Sequence, residues 1–113
     1  MQIMAEKDLL STQMLEMRRG AIVLALLSQL DTPRYGYDLL QKLESAAFVI
    51  DAGTLYPLLR RLEKQGVLES LWNTTESRPR KYYRLSEDGK TFYASLKQEW
   101  QQMTAAINAM VKE

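Results

Sequence analysis

The segment Thr54-Leu-Tyr-Pro-Leu-Leu-Arg-Arg-Leu-Glu-Lys-Gln-Gly66 decides the fold, because it combines an apolar helical repeat with a basic opposite side. Leucines recur at the i, i+3, i+4 and i+7 spacing of one helix face: Leu55, Leu58, Leu59 and Leu62. The other side carries hydroxyl and basic side chains: Thr54, Tyr56, Arg60, Arg61 and Lys64. We expect Asp51 to cap this short helix and Gly66 to end it in a left-handed conformation.

A two-stranded hairpin is predicted directly after this helix. Side chains alternate between two faces from Val67 to Asn73 and again from Lys81 to Leu85, which is typical of strands. The polar run from Thr74 to Pro79 has no periodicity and indicates the exposed tip of the hairpin. Four basic residues and no acidic ones lie between Arg78 and Arg84, and such a concentrated positive field attracts phosphates. Either piece alone would indicate a solvated surface, but the two together predict a DNA-binding surface.

Pro57 conflicts with a simple helix, because an interior proline costs about 3 kcal/mol. If the helix effectively begins near Gly53 or Thr54, Pro57 lies within the opening turn and most of that cost is removed, so the sequence leaves the boundary at Asp51 open.

Two further helices are predicted before the basic helix. The first, Asp8 to Leu30, is apolar around much of its circumference, so we expect burial on more than one side. Its half from Leu10 to Arg18 is either part of the core or reaches a second subunit. Pro33 breaks the pattern, and the second helix runs from Tyr35 to Ser45. Three helices and a hairpin predict a winged helix-turn-helix over residues 1–85, a mainly α, α+β fold whose third helix enters the major groove.

A C-terminal helix is predicted over residues 86–113, beginning at Ser86 as the N-cap. Its apolar residues repeat at spacings of 4, 3, 4 and 3: Leu96, Trp100, Met103, Ile107 and Met110. Such a stripe most often packs against a partner helix. Residues 86–113 are therefore predicted to be the dimerisation helix of a homodimer, with the stripe as its interface.

Trp100 admits two interpretations. An indole is too large for a tight helical layer, so two facing indoles would leave a slot for a planar aromatic ligand. We expect the slot to be completed by nearby apolar and hydroxyl side chains: Met14, Leu96, Met103 and Thr104. Alternatively, Trp100 packs against the first helix as an ordinary core residue.

The composition excludes several classes of function. The 113 residues contain no cysteine and no histidine, which removes disulfides, thiolate metal sites, the commonest general base and the commonest metal ligand. No glycine-rich phosphate loop or nucleophile elbow is present. We predict that the chain is not an enzyme and uses no metal or cofactor.

The sequence also predicts a location. The longest apolar run, Ala21 to Leu27, is too short to span a membrane. Met1 to Lys7 carries charges on both sides of Ala5 and lacks a long apolar region. We therefore expect no secretory signal, no membrane partner and a cytoplasmic protein.

Three motifs, in order along the chain, resemble the PadR family of bacterial transcriptional regulators: Tyr35-Gly-Tyr-Asp-Leu-Leu40, Gly53 to Gly66, and Arg80-Lys-Tyr-Tyr-Arg-Leu-Ser-Glu-Asp-Gly89. The single short C-terminal helix is similar to that of the small members. The resemblance implies a homodimeric winged-helix repressor that binds palindromic operator DNA. It also implies release by a small ligand, commonly a phenolic acid, a toxic aromatic or a drug.

The resemblance also implies roles for individual residues. It makes residues 53–64 the recognition helix, with Tyr56, Arg60 and Arg61 facing DNA, and it places Arg78, Arg80 and Lys81 in the wing. Tyr35 and Tyr37 would lie near phosphates, although a tyrosine at either position could equally fill the core with its hydroxyl exposed.

These observations predict a sequence-specific transcriptional regulator, specifically a repressor of a detoxification, efflux or stress operon that a small aromatic effector releases. The competing functions are a winged-helix protein-interaction module without DNA and a regulator that needs no ligand. Salt dependence separates the DNA-binding regulator from the protein-interaction module, because binding through phosphates weakens steeply with salt and an apolar interface does not.

Overall fold

Helices and a small antiparallel sheet alternate along the chain. The computed structural model describes residues 5–75 and 77–112. Within these ranges the elements are α1 (Glu6–Leu27), β1 (Arg34–Tyr35), α2 (Gly36–Ser45), α3 (Ala52–Lys64), β2 (Leu68–Asn73), β3 (Arg80–Leu85) and α4 (Glu87–Val111). The order confirms the predicted mainly α winged helix-turn-helix. Two interpretations fall partly outside the described residues: the lack of a signal in Met1 to Lys7, and the hairpin tip at Glu76.

The core between α1, α2, α3 and the sheet consists almost entirely of leucine. Its fully buried large side chains are Leu26, Leu27, Leu30, Leu39, Leu55 and Leu59. The predicted apolar face of α3 is confirmed, because all four of its leucines are buried. No polar or charged side chain is buried among the described residues. The core therefore determines which side of α3 faces outward.

Both ends of α3 follow the capping signals in the sequence. The Asp51 carboxylate accepts a hydrogen bond of 2.8 Å from the Thr54 amide, and hydrogen bonds from Thr54 hold the pKa of that carboxyl below its ordinary value. At the other end Gly66 adopts φ +85°. The amide of Val67 then donates to the Leu62 carbonyl, and that of Gly66 to the Glu63 carbonyl, each at 3.0 Å. This paired arrangement is a Schellman motif, which needs a left-handed residue at the position of Gly66.

The start of α3 leaves Pro57 inside the helix. Because α3 begins at Ala52, Pro57 lies beyond the opening turn and removes the amide that would bond to the Gly53 carbonyl. Gly53 is exposed, so water can satisfy that carbonyl. The buried leucines on the inner side hold the helix together across this missing hydrogen bond.

The sheet has three strands in the order β1-β3-β2, all antiparallel. The predicted hairpin is confirmed in the register Leu68 opposite Leu85 to Asn73 opposite Arg80. The prediction of only two strands is wrong, because Arg34 and Tyr35 pair with Tyr83 and Tyr82. Tyr35 consequently belongs to β1 and caps α2 instead of starting it. A strand of two residues has no periodicity by which the sequence could show it.

α1 and α4 leave apolar surface uncovered within the chain. α1 ends at Leu27 rather than Leu30, and only its last turns enter the core. Burial on several sides is wrong for its first half in the single chain, since Leu10 is 58% exposed and Met17 72%. Nearly all of α4 is likewise exposed, and the longest dimension of the molecule is 59 Å. No helix among the described residues is long and apolar enough to cross a membrane.

The start of α4 is fixed against the end of α3. The Ser86 hydroxyl caps α4 by accepting a hydrogen bond of 2.9 Å from the Gly89 amide, as the sequence predicts. The same hydroxyl lies 2.6 Å from the Gly66 carbonyl oxygen, to which it donates. Gly89 is buried directly against the Val67 carbonyl, and a Cβ at this position would collide with that oxygen.

Substitution of Gly89 tests this junction. We expect Gly89→Ala to lower the free energy of unfolding by about 1–3 kcal/mol, because the backbone of Val67 cannot move aside as a flexible side chain could. Gly20→Ala is the control: a Cβ at Gly20 meets nothing within 4 Å, so the same change should raise stability by about 0.5–1 kcal/mol through helix propensity. Urea unfolding measures both, and equal stabilities for the two variants would contradict the close contact.

Candidate nucleic-acid interface

The outward side of α3 presents a row of basic side chains. Arg60, Arg61 and Lys64 are exposed, as is Thr54 at the start of the helix. They lie opposite the buried leucines, so their position follows from the same repeat that builds the core. These side chains offer only hydrogen-bond donors and positive charge, apart from the Thr54 hydroxyl. Such a set suits phosphates and the acceptor-rich edge of guanine.

Tyr56 is half-buried and packs against the leucine core. A Cβ at Gly36 would lie 2.5 Å from Tyr56 Cε1, so the ring rests on the bare backbone at the start of α2. Gly36 therefore allows α2 and α3 to approach each other closely. The structure gives Tyr56 a packing role that the sequence pattern did not show.

The wing, defined here as β2, β3 and their connecting tip at residues 74–79, carries the other predicted basic residues. Arg78 is exposed in the tip. Arg80 is half-buried, and its guanidinium carbon lies 3.8 Å from the centroid of the Tyr35 ring. Lys81 is also half-buried, with Nζ 3.3 Å from Glu63 Oε1. Of the three predicted wing residues, Arg78 is therefore exposed, whereas Arg80 and Lys81 contact other side chains of the chain.

Glu63 links α3 to the wing and was not among the predicted site residues. Its carboxylate accepts a hydrogen bond from the Ser70 hydroxyl of β2 and forms an ion pair with Lys81 of β3. The Ser70 hydrogen bond and the Lys81 ammonium hold the pKa of the Glu63 carboxyl below its ordinary value, against the opposing effect of partial burial. Partial burial would lower the pKa of Lys81, but its hydrogen bond to Glu63 and the neighbouring Tyr83 and Glu63 raise it.

The two predicted tyrosines of the α2 start have different surroundings. Tyr37 is 59% exposed, and its hydroxyl accepts a hydrogen bond of 3.3 Å from Gln41 on the same helix. Tyr35 is half-buried, and its hydroxyl accepts a hydrogen bond of 2.9 Å from Asn73 Nδ2 at the end of β2. Asn73 was likewise not among the predicted site residues, although Asn side chains commonly accept a hydrogen bond from the backbone two residues on in a turn.

The predicted ligand and dimer residues lie on α1 and α4, apart from the basic surface. Leu96 and Thr104 are half-buried, and Leu96 packs against the core. The remaining members are exposed: Met14, Trp100, Met103, Ile107 and Met110. Trp100 is 44% exposed, so the interpretation that it is an ordinary core residue does not hold within a single chain.

Comparison with known proteins identifies the family. A family model described as the transcriptional regulator PadR-like family matches residues 23–95. A PadR family transcriptional regulator from Eggerthella lenta has a crystal structure with 41% sequence identity. The match covers 97% of this chain and 98% of that one, with a TM-score of 0.88.

Further relatives agree with this match. The PadR-like transcriptional regulator BC4206 from Bacillus cereus is 29% identical, with 89% of this chain and 98% of that chain covered and a TM-score of 0.71. Transcriptional regulator Rv3488 of Mycobacterium tuberculosis is 36% identical over 78 residues, which cover 68% of this chain and 73% of that protein. All of these are transcriptional regulators, which confirms the prediction that the chain is not an enzyme. Because the family model spans most of the chain, the protein belongs to the PadR-like family of transcriptional regulators.

Proposed function

We propose that the protein is a homodimeric, sequence-specific DNA-binding repressor that acts in the cytoplasm on a palindromic operator. The observation that carries this proposal is the exposed basic side of α3, whose Arg60, Arg61 and Lys64 adjoin a wing with Arg78 at its tip. α3 would enter the major groove, and the wing would contact the phosphate backbone beside it. Tyr37, Arg80 and Thr54 would add further contacts at the margins of this surface.

The basic residues should divide into two kinds of contact. An arginine that reaches O6 and N7 of guanine discriminates between sequences, whereas a phosphate contact strengthens binding to every sequence. Arg60 and Arg61 lie on the helix that would enter the groove, so we assign them to base readout. Arg78 lies in the tip and is assigned to the backbone. Lys81 should contribute less than its charge suggests, because Glu63 already neutralises it.

Alanine variants test this assignment. Arg60→Ala or Arg61→Ala should weaken binding to the operator by about 1–3 kcal/mol and weaken binding to scrambled DNA much less. Arg78→Ala should weaken both and reduce the slope of log affinity against log salt by about one. The DNA upstream of the protein's own gene serves as the operator, and retardation is measured across salt concentrations.

Lys90→Ala is the control, because Lys90 is an exposed basic residue on α4 whose partner is Glu87. Its affinity for both DNAs should equal that of the native chain. Equal losses on operator and scrambled DNA for both α3 variants would remove Arg60 and Arg61 from base readout.

The dimer would form through the apolar stripe of α4. Met103 is 56% and Ile107 47% exposed within the chain, which is unusual for large apolar side chains at regular helical spacing. The exposed half of α1, from Leu9 to Met17, presents a second apolar strip. We propose that α4 packs against its symmetry mate and against α1 of the other subunit. Dimerisation would place the two α3 helices for half-sites about 34–36 Å apart.

A charge within the stripe tests the dimer. Ile107→Asp should convert the dimer to a monomer, because an unpaired carboxylate cannot be buried at an apolar interface. Ala105→Asp adds the same charge at an exposed position away from the stripe and should leave the mass unchanged. Sedimentation equilibrium measures the mass, and an Ile107→Asp variant with native mass would exclude this interface.

We further propose that a planar aromatic effector binds between the two Trp100 indoles at the dimer axis and releases the protein from DNA. The soft side chains Met14 and Met103, together with Leu96 and Thr104, would complete the slot. Such a ligand would change the spacing of the two α3 helices. Its effect on DNA affinity cannot exceed its differential affinity for the two dimer geometries. A detoxification, efflux or stress operon is the proposed target of a regulator with such an effector.

Tryptophan emission tests the effector site, because the chain contains only Trp72 and Trp100. Flat aromatic cations and phenolic acids should quench the emission of the native chain and of Trp72→Ala. Trp100→Ala should lose this quenching. Quenching that survives Trp100→Ala and disappears with Trp72→Ala would place the site at the wing and overturn this account of induction.

A further inference from the structure

Both strands of the wing contact the side chain of Tyr35 at the point where the tip begins. Asn73 and Arg80 are opposite each other as the last pair of the β2–β3 ladder. Asn73 Nδ2 donates to the Tyr35 hydroxyl at 2.9 Å, and the Arg80 guanidinium carbon lies 3.8 Å from the Tyr35 ring centroid. Tyr35 therefore contacts both strands at the root of the tip, one through its hydroxyl and the other through its ring.

Tyr35 is itself anchored in the helix-turn-helix. Its backbone forms β1, opposite Tyr82, and is the N-cap of α2. Its ring meets the Tyr82 ring edge-on, with centroids 5.7 Å apart and planes at 85°. The Tyr35 ring thus packs against Tyr82 of β3, while its hydroxyl contacts Asn73 where the tip begins. β1 contains only Arg34 and Tyr35, and it joins the start of α2 to β3 of the hairpin.

The connection continues into the tip through Asn73. The Oδ1 atom of Asn73 accepts hydrogen bonds from the Thr75 amide at 3.1 Å and from the Thr75 hydroxyl at 2.6 Å. The described residues of the tip are otherwise exposed, Arg78 among them. A two-stranded ribbon twists easily, so a tip that is held at its root will present Arg78 at a more constant angle than one that is not.

We propose that Tyr35 is a positioning residue for the wing: through Asn73 and Arg80 it fixes the angle at which the tip, with Arg78, meets the DNA backbone beside α3. This inference rests on the proposed DNA-binding function. It differs from the simpler role expected from the sequence, in which the Tyr35 hydroxyl itself contacts a phosphate. The two roles make different predictions, because a positioning residue acts only through the residue that it positions.

Double-mutant cycles separate the two roles. Tyr35→Phe keeps the ring beneath Arg80 and removes the hydroxyl, while Asn73→Ala removes the other partner of the same hydrogen bond. Each should weaken DNA binding by about threefold to tenfold, as expected for one hydrogen bond, and the double variant should be no weaker than either single one. In an Arg78→Ala background, Tyr35→Phe should have almost no effect.

Tyr37→Phe is the matched control, because its hydroxyl is bonded within α2 to Gln41 and not to the wing. In the double-mutant cycles, the effect of Tyr37→Phe on DNA affinity should simply add to the effect of Asn73→Ala and to that of Arg78→Ala, with no coupling to either. If Tyr35→Phe weakens binding equally with and without Arg78, and Asn73→Ala has no effect, Tyr35 contacts phosphate directly and the positioning role is wrong.

Amide hydrogen exchange provides a measurement that does not depend on DNA. Tyr35→Phe should accelerate exchange at the strand ends, Trp72 to Asn73 and Arg80 to Lys81, and leave α3 unchanged, whereas Tyr37→Phe should do neither. Unchanged exchange at the strand ends would overturn the proposal. If the native chain retards no DNA, the proposed function fails, and exchange still decides whether Tyr35 holds the wing.

Discussion

One carbonyl oxygen, that of Val67, connects the helix-turn-helix, the sheet and the last helix. It accepts a hydrogen bond from the Ser86 amide at 3.0 Å, the Ser86 hydroxyl oxygen lies 3.1 Å away, and Gly89 packs directly against it. Val67 follows the Schellman end of α3, and Ser86 caps α4, so this one contact orients both helices. The leucine core stabilises the fold but cannot set a unique orientation by itself, because leucines of similar shape repack readily. Backbone contacts at glycine supply that orientation.

The wing is held on both of its faces. Ser70 and Lys81 lie on one face of the hairpin and contact Glu63 of α3. Neighbouring side chains in a strand point to opposite faces, so Asn73 and Arg80 lie on the other face. There Asn73 donates a hydrogen bond to the Tyr35 hydroxyl, and Arg80 stacks on the Tyr35 ring. The hairpin thus lies between the start of α2 and the end of α3. Its geometry relative to α3 depends on polar contacts at either side as well as on the apolar residues at its base.

Features with local signals could be predicted from the sequence, and features made by distant pairs could not. The leucine repeat of α3, the caps at Asp51 and Ser86 and the turn at Gly66 each depend on a few neighbouring residues. The contact between Glu63 and Lys81 joins residues that both resemble solvated surface charges. A count of basic residues therefore predicted that this surface is positively charged. It could not show which side chains stay exposed, as Arg60, Arg61 and Arg78 do, and which contact the chain itself. Lys81 pairs with Glu63 and Arg80 stacks on Tyr35.

The ion pair between α3 and the wing is insensitive to conditions near neutrality. The lowered pKa of Glu63 means that its contribution to stability is present above the ordinary carboxyl value and lost only as pH falls through the lowered one. The raised pKa of Lys81 means that its contribution is present below the ordinary lysine value and lost only as pH rises beyond it. The chain has no histidine to titrate between these limits and no cysteine to oxidise. Changes of acidity near neutrality and changes of thiol redox state therefore leave this ion pair between α3 and the wing intact.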